Sequence, residues 1–154
     1  MANVRIAETE ALVNELAKRD GDDNQGLVAE EFYFNSLKHH PVLQGMHFDS
    51  VYKNLTNHSR GIENEYDILL LNGENVFIIE VKYKAHPHDL KILVEKKAAN
   101  FKPLFPAYRD HKLHLGLASF HVDDEIKRAA FEQGVTVLQR RGDLIETTPA
   151  TPFH

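Results

Sequence analysis

Asp67, Glu80 and Lys82 are charged residues set inside two of the most apolar runs of the chain, residues 65–71 and 76–83. Ile, Val, Leu and Phe fill most positions around them, and a charge in a buried strand is costly unless a partner, a metal or a function holds it. Between the runs, Asn72-Gly73-Glu74-Asn75 reads as a hairpin turn. With Gly73-Glu74 as a two-residue loop, Asp67 faces Glu80 and Glu65 faces Lys82. With Asn72-Gly73 as the loop, Glu80 slides opposite Glu65. Either register keeps Asp67, Glu80 and Lys82 on one face of the sheet. Directly opposed side chains have Cβ atoms about 4.5–5.5 Å apart. Two carboxylates at that spacing repel unless a cation lies between them, and oxygen-only donors suit a hard divalent ion such as Mg²⁺ or Mn²⁺. Lys82 points into the same small volume. The competing reading is a buried Asp–Glu–Lys ion cluster with no chemistry, which is a poor stabiliser because desolvation offsets most of the attraction.

An Asp on one strand followed by Glu-x-Lys on the next resembles the core motif of the PD-(D/E)xK nuclease superfamily. The pieces here are Asp67 and Glu80-Val81-Lys82, with Tyr66 where the name-giving proline stands. The flanking pattern is similar to that of small resolvase-like and RecB-like members, and the resemblance spans residues 26–120. It implies a restriction-endonuclease-like α/β fold: an αβββαβ core whose mixed central sheet is flanked by helices. An extra N-terminal helix and a C-terminal αβ extension complete a single domain over residues 1–154. The resemblance further implies Mg²⁺, with Mn²⁺ as substitute, on Asp67, Glu80 and the backbone carbonyl of Val81. Lys82 is then the group that orients or deprotonates the attacking water. The implied reaction is phosphodiester hydrolysis, with nucleic acid, DNA foremost, as the partner. The RecB-type Gln-x-x-x-Tyr is absent, since no Gln occurs between residues 45 and 132. Fold does not guarantee function, so a non-catalytic module of the same fold, binding nucleic acid or a protein, stands as the alternative. A homodimer or a larger assembly suits a chain with no separate DNA-reading segment.

The elements that must carry these residues are set by periodicity and punctuation. Residues 4–19 read as a helix with Ile6, Leu12, Val13 and Leu16 apolar, and residues 20–24 as a polar, solvated turn. A second helix is expected over residues 26–38, stopped before Pro41. On its wheel Leu27, Tyr33, Phe34 and Leu37 share a broad face, with Glu30 near the middle and Glu31 beside Lys38 at the edge. A first-helix glutamate often completes the superfamily's metal site, directly or through water, which the resemblance assigns to Glu30 with Glu31 as the alternative. An acid reaching solvent from the helix edge is the plainer reading.

Residues 46–57 are expected to form the first strand, and residues 57–61 a polar loop near the mouth of the site, with His58 and Arg60 in reach of phosphate. Pro87 marks the start of a helix over residues 88–101, broken near Pro103. Leu90, Leu93, Val94 and Phe101 form its buried stripe; Lys97 lies inside the stripe and Lys96 points away. Lys97 either snorkels or, as the resemblance implies, contacts the phosphate or the water. His86 and His88 lack a further His or Cys at zinc-binding spacing. A strand over residues 113–119, a helix capped by Asp123 or Asp124 and ended at Gly134, and a strand over residues 135–138 form a strand–helix–strand unit with parallel pairing. Residues 143–147 add an edge strand, and residues 148–154 read as a tail.

The whole composition is compatible with this frame. The 154 residues suit one core. Without cysteine, disulfides and thiolate metal sites are excluded. No apolar run approaches the roughly 20 residues of a membrane span, and residues 1–8 lack the apolar core of a signal peptide, so the expectation is cytoplasmic. The net charge of −5 comes from residues 1–50, with 4 Lys+Arg against 9 Asp+Glu; residues 51–154 hold 14 of each. The part that carries the motif is therefore not acidic overall.

Overall fold

The computed structural model describes residues 21–148. The helix expected over residues 4–19, and the tail beyond Thr148, lie outside the described residues. The elements in order are α1 (Gly21–His39), the two-residue strands β1 (Val42–Leu43) and β2 (Met46–His47), and β3 (Ser50–Ser59), β4 (Ile62–Leu71) and β5 (Asn75–Lys84). A helix then runs in three pieces: α2 (Pro87–Ile92), a π-helical turn (Leu93–Lys97) and α3 (Ala98–Leu104). β6 (Lys112–His121), α4 (Asp124–Glu132), β7 (Val135–Arg141) and β8 (Leu144–Thr148) complete the described residues. β3 to β8 form one mixed sheet in sequence order, with β5–β6 and β6–β7 parallel and the other pairs antiparallel.

Each face of the sheet has its own core. On one face Ala29, Tyr33 and Leu37 of α1 pack on Ile68, Leu70, Phe77, Ile79, Val81, Ala118 and Leu138. On the other, Leu90, Leu93, Ala98 and Phe101 pack with Ile126 and Ala130 of α4 on Leu69, Val76, Ile78, Leu115, Leu117 and Val137. Central parallel strands covered on both faces read as unbroken apolar runs, which is why the motif's charges stand out. The small residue Gly116 in β6 leaves room for Phe77, because a Cβ there would meet that ring at 3.0 Å.

Several sequence expectations are corrected. Residues 21–24 belong to helix α1 and are helical rather than a linker. Asp and Asn cost a helix interior less than about 0.7 kcal/mol each relative to Ala, so a short polar run does not by itself end one. The α1 seam is Ala29, Tyr33 and Leu37, not a face centred near Glu30, and Leu27 is 38% exposed. Residues 57–61 are not a loop: β3 runs to Ser59 and turns into β4 through Arg60-Gly61, both at positive φ (52° and 81°). Two such residues make the hairpin turn whose twist matches the strands. His58 and Arg60 therefore stand on a protruding hairpin. The expected strand over residues 46–57 splits into β2 and β3, since Gln44-Gly45 makes a second such turn between β1 and β2. Asp123 caps α4 by accepting the Ile126 N–H at 2.9 Å.

Candidate active site

The hairpin loop is Gly73-Glu74. The Asn72 N–H donates to the Asn75 carbonyl at 3.0 Å, and the register runs Leu71↔Val76 to Ile68↔Ile79. This is the register that aligns Asp67 with Glu80. Pairing stops there, however, and β4 and β5 diverge before Glu65 can meet Lys82. In an unbroken ladder the Val81 N–H would go to the Tyr66 carbonyl; instead the Asp67 carboxylate accepts it at 2.8 Å. The twist at this point also breaks strict alternation in β4, because Tyr66 and Leu69, three residues apart, face the same core. Asp67 stands at the fork between the strands, tied to one and carried by the other.

Glu80 is buried, with 4% of its surface exposed. Burial first, then the neighbouring Asp67 carboxylate, push its carboxyl up to about 8. The Lys97 ammonium opposes this, holding both Glu80 oxygens at 2.8 and 2.9 Å. Burial and the second carboxylate outweigh one ammonium, so the raised direction stands. Lys97 comes from the π-helical turn, where the Ala98 N–H returns to the Leu93 carbonyl five residues back. Such turns add a residue to the helical circuit and rotate the helix beyond them. Lys96 points out, as the wheel indicates.

Tyr66 fixes the turn. Its hydroxyl donates to the Lys97 carbonyl at 3.0 Å, and its ring packs edge-on against Phe101 and Phe105. Burial pushes its pKa up, so it stays a donor. Tyr66→Phe is expected to keep the ring packing and lose about 1 kcal/mol of unfolding free energy. Denaturant titration measures this, and an unchanged midpoint would show that the hydroxyl anchors nothing.

Asp67, Glu80, Lys82, Lys97 and Glu30 all line one open cleft of about 870 Å³, and so does Val81. Glu30 reaches it from α1. Burial, then the carboxylates of Asp67 and Glu65, raise Glu30 to about 7 against the opposing pull of Lys53 and Lys82. Glu31 is exposed and absent from the lining. Among the described residues no three His, Asp or Glu side chains are already gathered as a metal cage, and Glu30 faces Asp67 and Glu80 across the shared cleft. Lys82 has 45% of its side chain exposed and lies 3.9 Å from Asp89. Asp89 was not among the expected residues. It accepts the His86 N–H at 2.7 Å across the first turn of α2, and the spacing of an acid three residues after the position before Pro87 is the signal that announces it.

The raised carboxyls set the pH behaviour of the metal-free protein. Glu30 and Glu80 bind protons more tightly folded than unfolded, so their stabilising effect is complete below about 4.5 and is lost as pH rises through about 7 and 8. The midpoint of thermal unfolding in chelator is expected to fall between pH 5 and pH 8.5, and Glu80→Gln to flatten that slope. A wild-type midpoint that rises across this range would contradict the assignment of these shifts.

No protein-family model and no curated protein sequence matches the chain. Solved structures do match it. A repair endonuclease from Pyrococcus abyssi superposes with a TM-score of 0.53 at 16% identity, over 73% of this chain and 46% of that one. The chain has the restriction-endonuclease-like fold. Can2 from Sulfobacillus thermosulfidooxidans, solved with cyclic tetra-adenylate, gives 0.53 at 15% identity over 75% of this chain and 32% of that one. Protein VC1899 from Vibrio cholerae gives 0.50 at 17%, over 78% and 30%. This restriction-endonuclease-like chain thus spans less than half the length of each of these proteins. No helix among the described residues is long and apolar enough to cross a membrane.

Proposed function

We propose that the protein is a metal-dependent nuclease that hydrolyses phosphodiester bonds in DNA. The observation that carries this reading is the convergence of Asp67 and Glu80 at the fork of β4 and β5, in a cleft also lined by Lys82, Lys84 and Lys97. The donor set fits Mg²⁺ or Mn²⁺: all oxygen, two neighbouring carboxylates, and open space for water and a phosphate. Asp67 and Glu80 would hold the ion, with the Val81 carbonyl as a further donor. When bound, such an ion polarises the phosphate and lowers the pKa of a water.

The chain's own residues divide the remaining work. Lys82, the most exposed of the site's charges, holds the attacking water and takes or returns its proton. Lys97, beside Glu80 in the cleft, would face the phosphate and neutralise charge that develops there. Glu30 holds water around the acid pair from the α1 side. Its partial burial keeps a proton exchangeable near neutrality.

The rival is a nuclease-fold module that binds without cutting. One observation favours it: Lys97 already closes Glu80 with a two-pronged ion pair, which is what a self-contained ion cluster would contain. Cleavage distinguishes the two. Purified protein incubated with single strands, flaps, junctions, duplex and RNA is expected to release products with Mg²⁺ or Mn²⁺, and none with Ca²⁺ alone or chelator. Mn²⁺ binding without products on any of these substrates would favour the module.

Glu30→Gln is expected to lower metal-dependent turnover about 10–100-fold, the range for groups that support a metal site from outside, and Glu31→Gln to leave it unchanged. Equal rates in the two variants would remove Glu30 from the site.

A further inference from the structure

Beside the cleft, three adjacent parallel strands end in a row of side chains. The pairings Lys82↔Ser119 and Lys84↔His121 set Tyr83 beside Phe120, and Ser119↔Gln139 sets Phe120 beside Arg140. Val81, Ala118 and Leu138, two residues earlier on each strand, belong to the α1 core. Tyr83, Phe120 and Arg140 therefore project to the α1 side as well, just past the core. With strands about 4.8 Å apart, the row is about 10 Å long.

The row is held rigidly. The rings of Tyr83 and Phe120 meet edge-on with centroids 5.7 Å apart, and Phe32 of α1 meets Phe120 at 5.6 Å. The Arg140 guanidinium lies 4.8 Å from the Phe32 centroid and 5.2 Å from that of Phe120. Its Nε donates to the Gly142 carbonyl at 2.8 Å. Beneath, the buried Tyr33 hydroxyl donates to the Ser119 carbonyl at 2.7 Å and closes β6 against α1.

Rings at a core edge need no explanation beyond packing, but Arg140 does. Arg141 next to it is paired with Glu146 at 3.0 Å, Lys97 with Glu80, and Lys82 with Asp89. No carboxylate among the described residues pairs with Arg140, which is exposed. A guanidinium held against two rings, with its outer N–H groups directed to no carboxylate, is preorganised for a phosphate. At the other end of the row, Tyr83 lines the cleft, together with Lys84 and His86.

We propose that Tyr83, Phe120 and Arg140 form a binding track for a nucleic-acid strand with unpaired bases, a phosphate on Arg140 and a base against the Tyr83–Phe120 rings. An unpaired strand offers a bare base face to such rings, whereas in a duplex those faces are already stacked on their neighbours. The track names a substrate class for the proposed nuclease, and it rests on that reading only for the path of the strand into the cleft.

The test is fluorescence anisotropy in chelator, with labelled oligo-dT of about 20 nucleotides, longer than the roughly 4–16 nucleotides such sites cover, and a duplex of equal length. Wild type is expected to prefer the single strand. Arg140→Glu is expected to weaken that binding about 10-fold or more and to lower the salt slope by about 1. Arg140→Lys, which keeps the charge without the flat fork, is expected to fall between. Far-ultraviolet circular dichroism and an unchanged Mn²⁺ affinity show that fold and cleft are intact. Wild-type affinity in Arg140→Glu, or a preference of wild type for duplex, overturns the track. Because binding is read without metal, absence of cleavage bears on the nuclease reading alone.

Discussion

Lys82→Ala is expected to bind Mn²⁺ as wild type does and yet lose about 10²–10⁴-fold in turnover, the usual contribution of a positioned proton-transfer group. Lys82 touches neither Asp67 nor Glu80 closely. Its nearest acid is Asp89 at 3.9 Å, and almost half its side chain is exposed. Removing it leaves the acid pair and the Lys97 clasp in place, so metal affinity and turnover separate. Calorimetric titration and a single-turnover cleavage assay on the same preparation measure the two. Cleavage surviving unchanged would point to a different active site or a contaminating enzyme.

Asp67→Asn and Glu80→Gln are each expected to reduce Mn²⁺ affinity by more than about 10²-fold, beyond the effect of losing a supporting group, and to abolish cleavage. Stability should move the other way. Glu80 is buried against a second carboxylate, and an amide there removes a charge that the metal-free protein holds unfavourably above pH 8. The variants matter as much as the positions. Asp67→Ala would orphan the Val81 N–H, a cost of about 1–3 kcal/mol unrelated to metal, whereas Asn keeps an acceptor. Undiminished Mn²⁺ binding in both amide variants would remove the acid pair from the site. Unfolding of either would favour the structural ion cluster.

The sequence carried the fold's main logic because its punctuation is local. Asn72-Gly73 announces the hairpin, and the apolar runs around Asp67 and Glu80 announce a sheet covered on both faces. The choice of Lys97 over Lys96 comes from helical periodicity. Features set by non-local geometry left no such mark. The fork at Asp67 arises where β4 parts from β5 while β5 stays paired with β6, and nothing near Asp67 records it. The same twist puts Tyr66 and Leu69 on one face against simple alternation. The π-helical turn at residues 93–97 has no compositional signature, and its Lys97 carbonyl accepts from the Tyr66 hydroxyl some thirty residues upstream. Glu30 was legible as an acid in an apolar helix, although the packed seam runs through Ala29 and Tyr33 beside it.

The account turns on whether Asp67 and Glu80 are a metal site, and a crystal soaked in Mn²⁺ and measured at the manganese absorption edge tests that most directly. The predicted result is an anomalous peak between the two carboxylates, with the Lys97 ammonium drawn off Glu80. The contradicting result is no peak in the cleft and Lys97 still bound to both Glu80 oxygens, which would make the cluster a structural one.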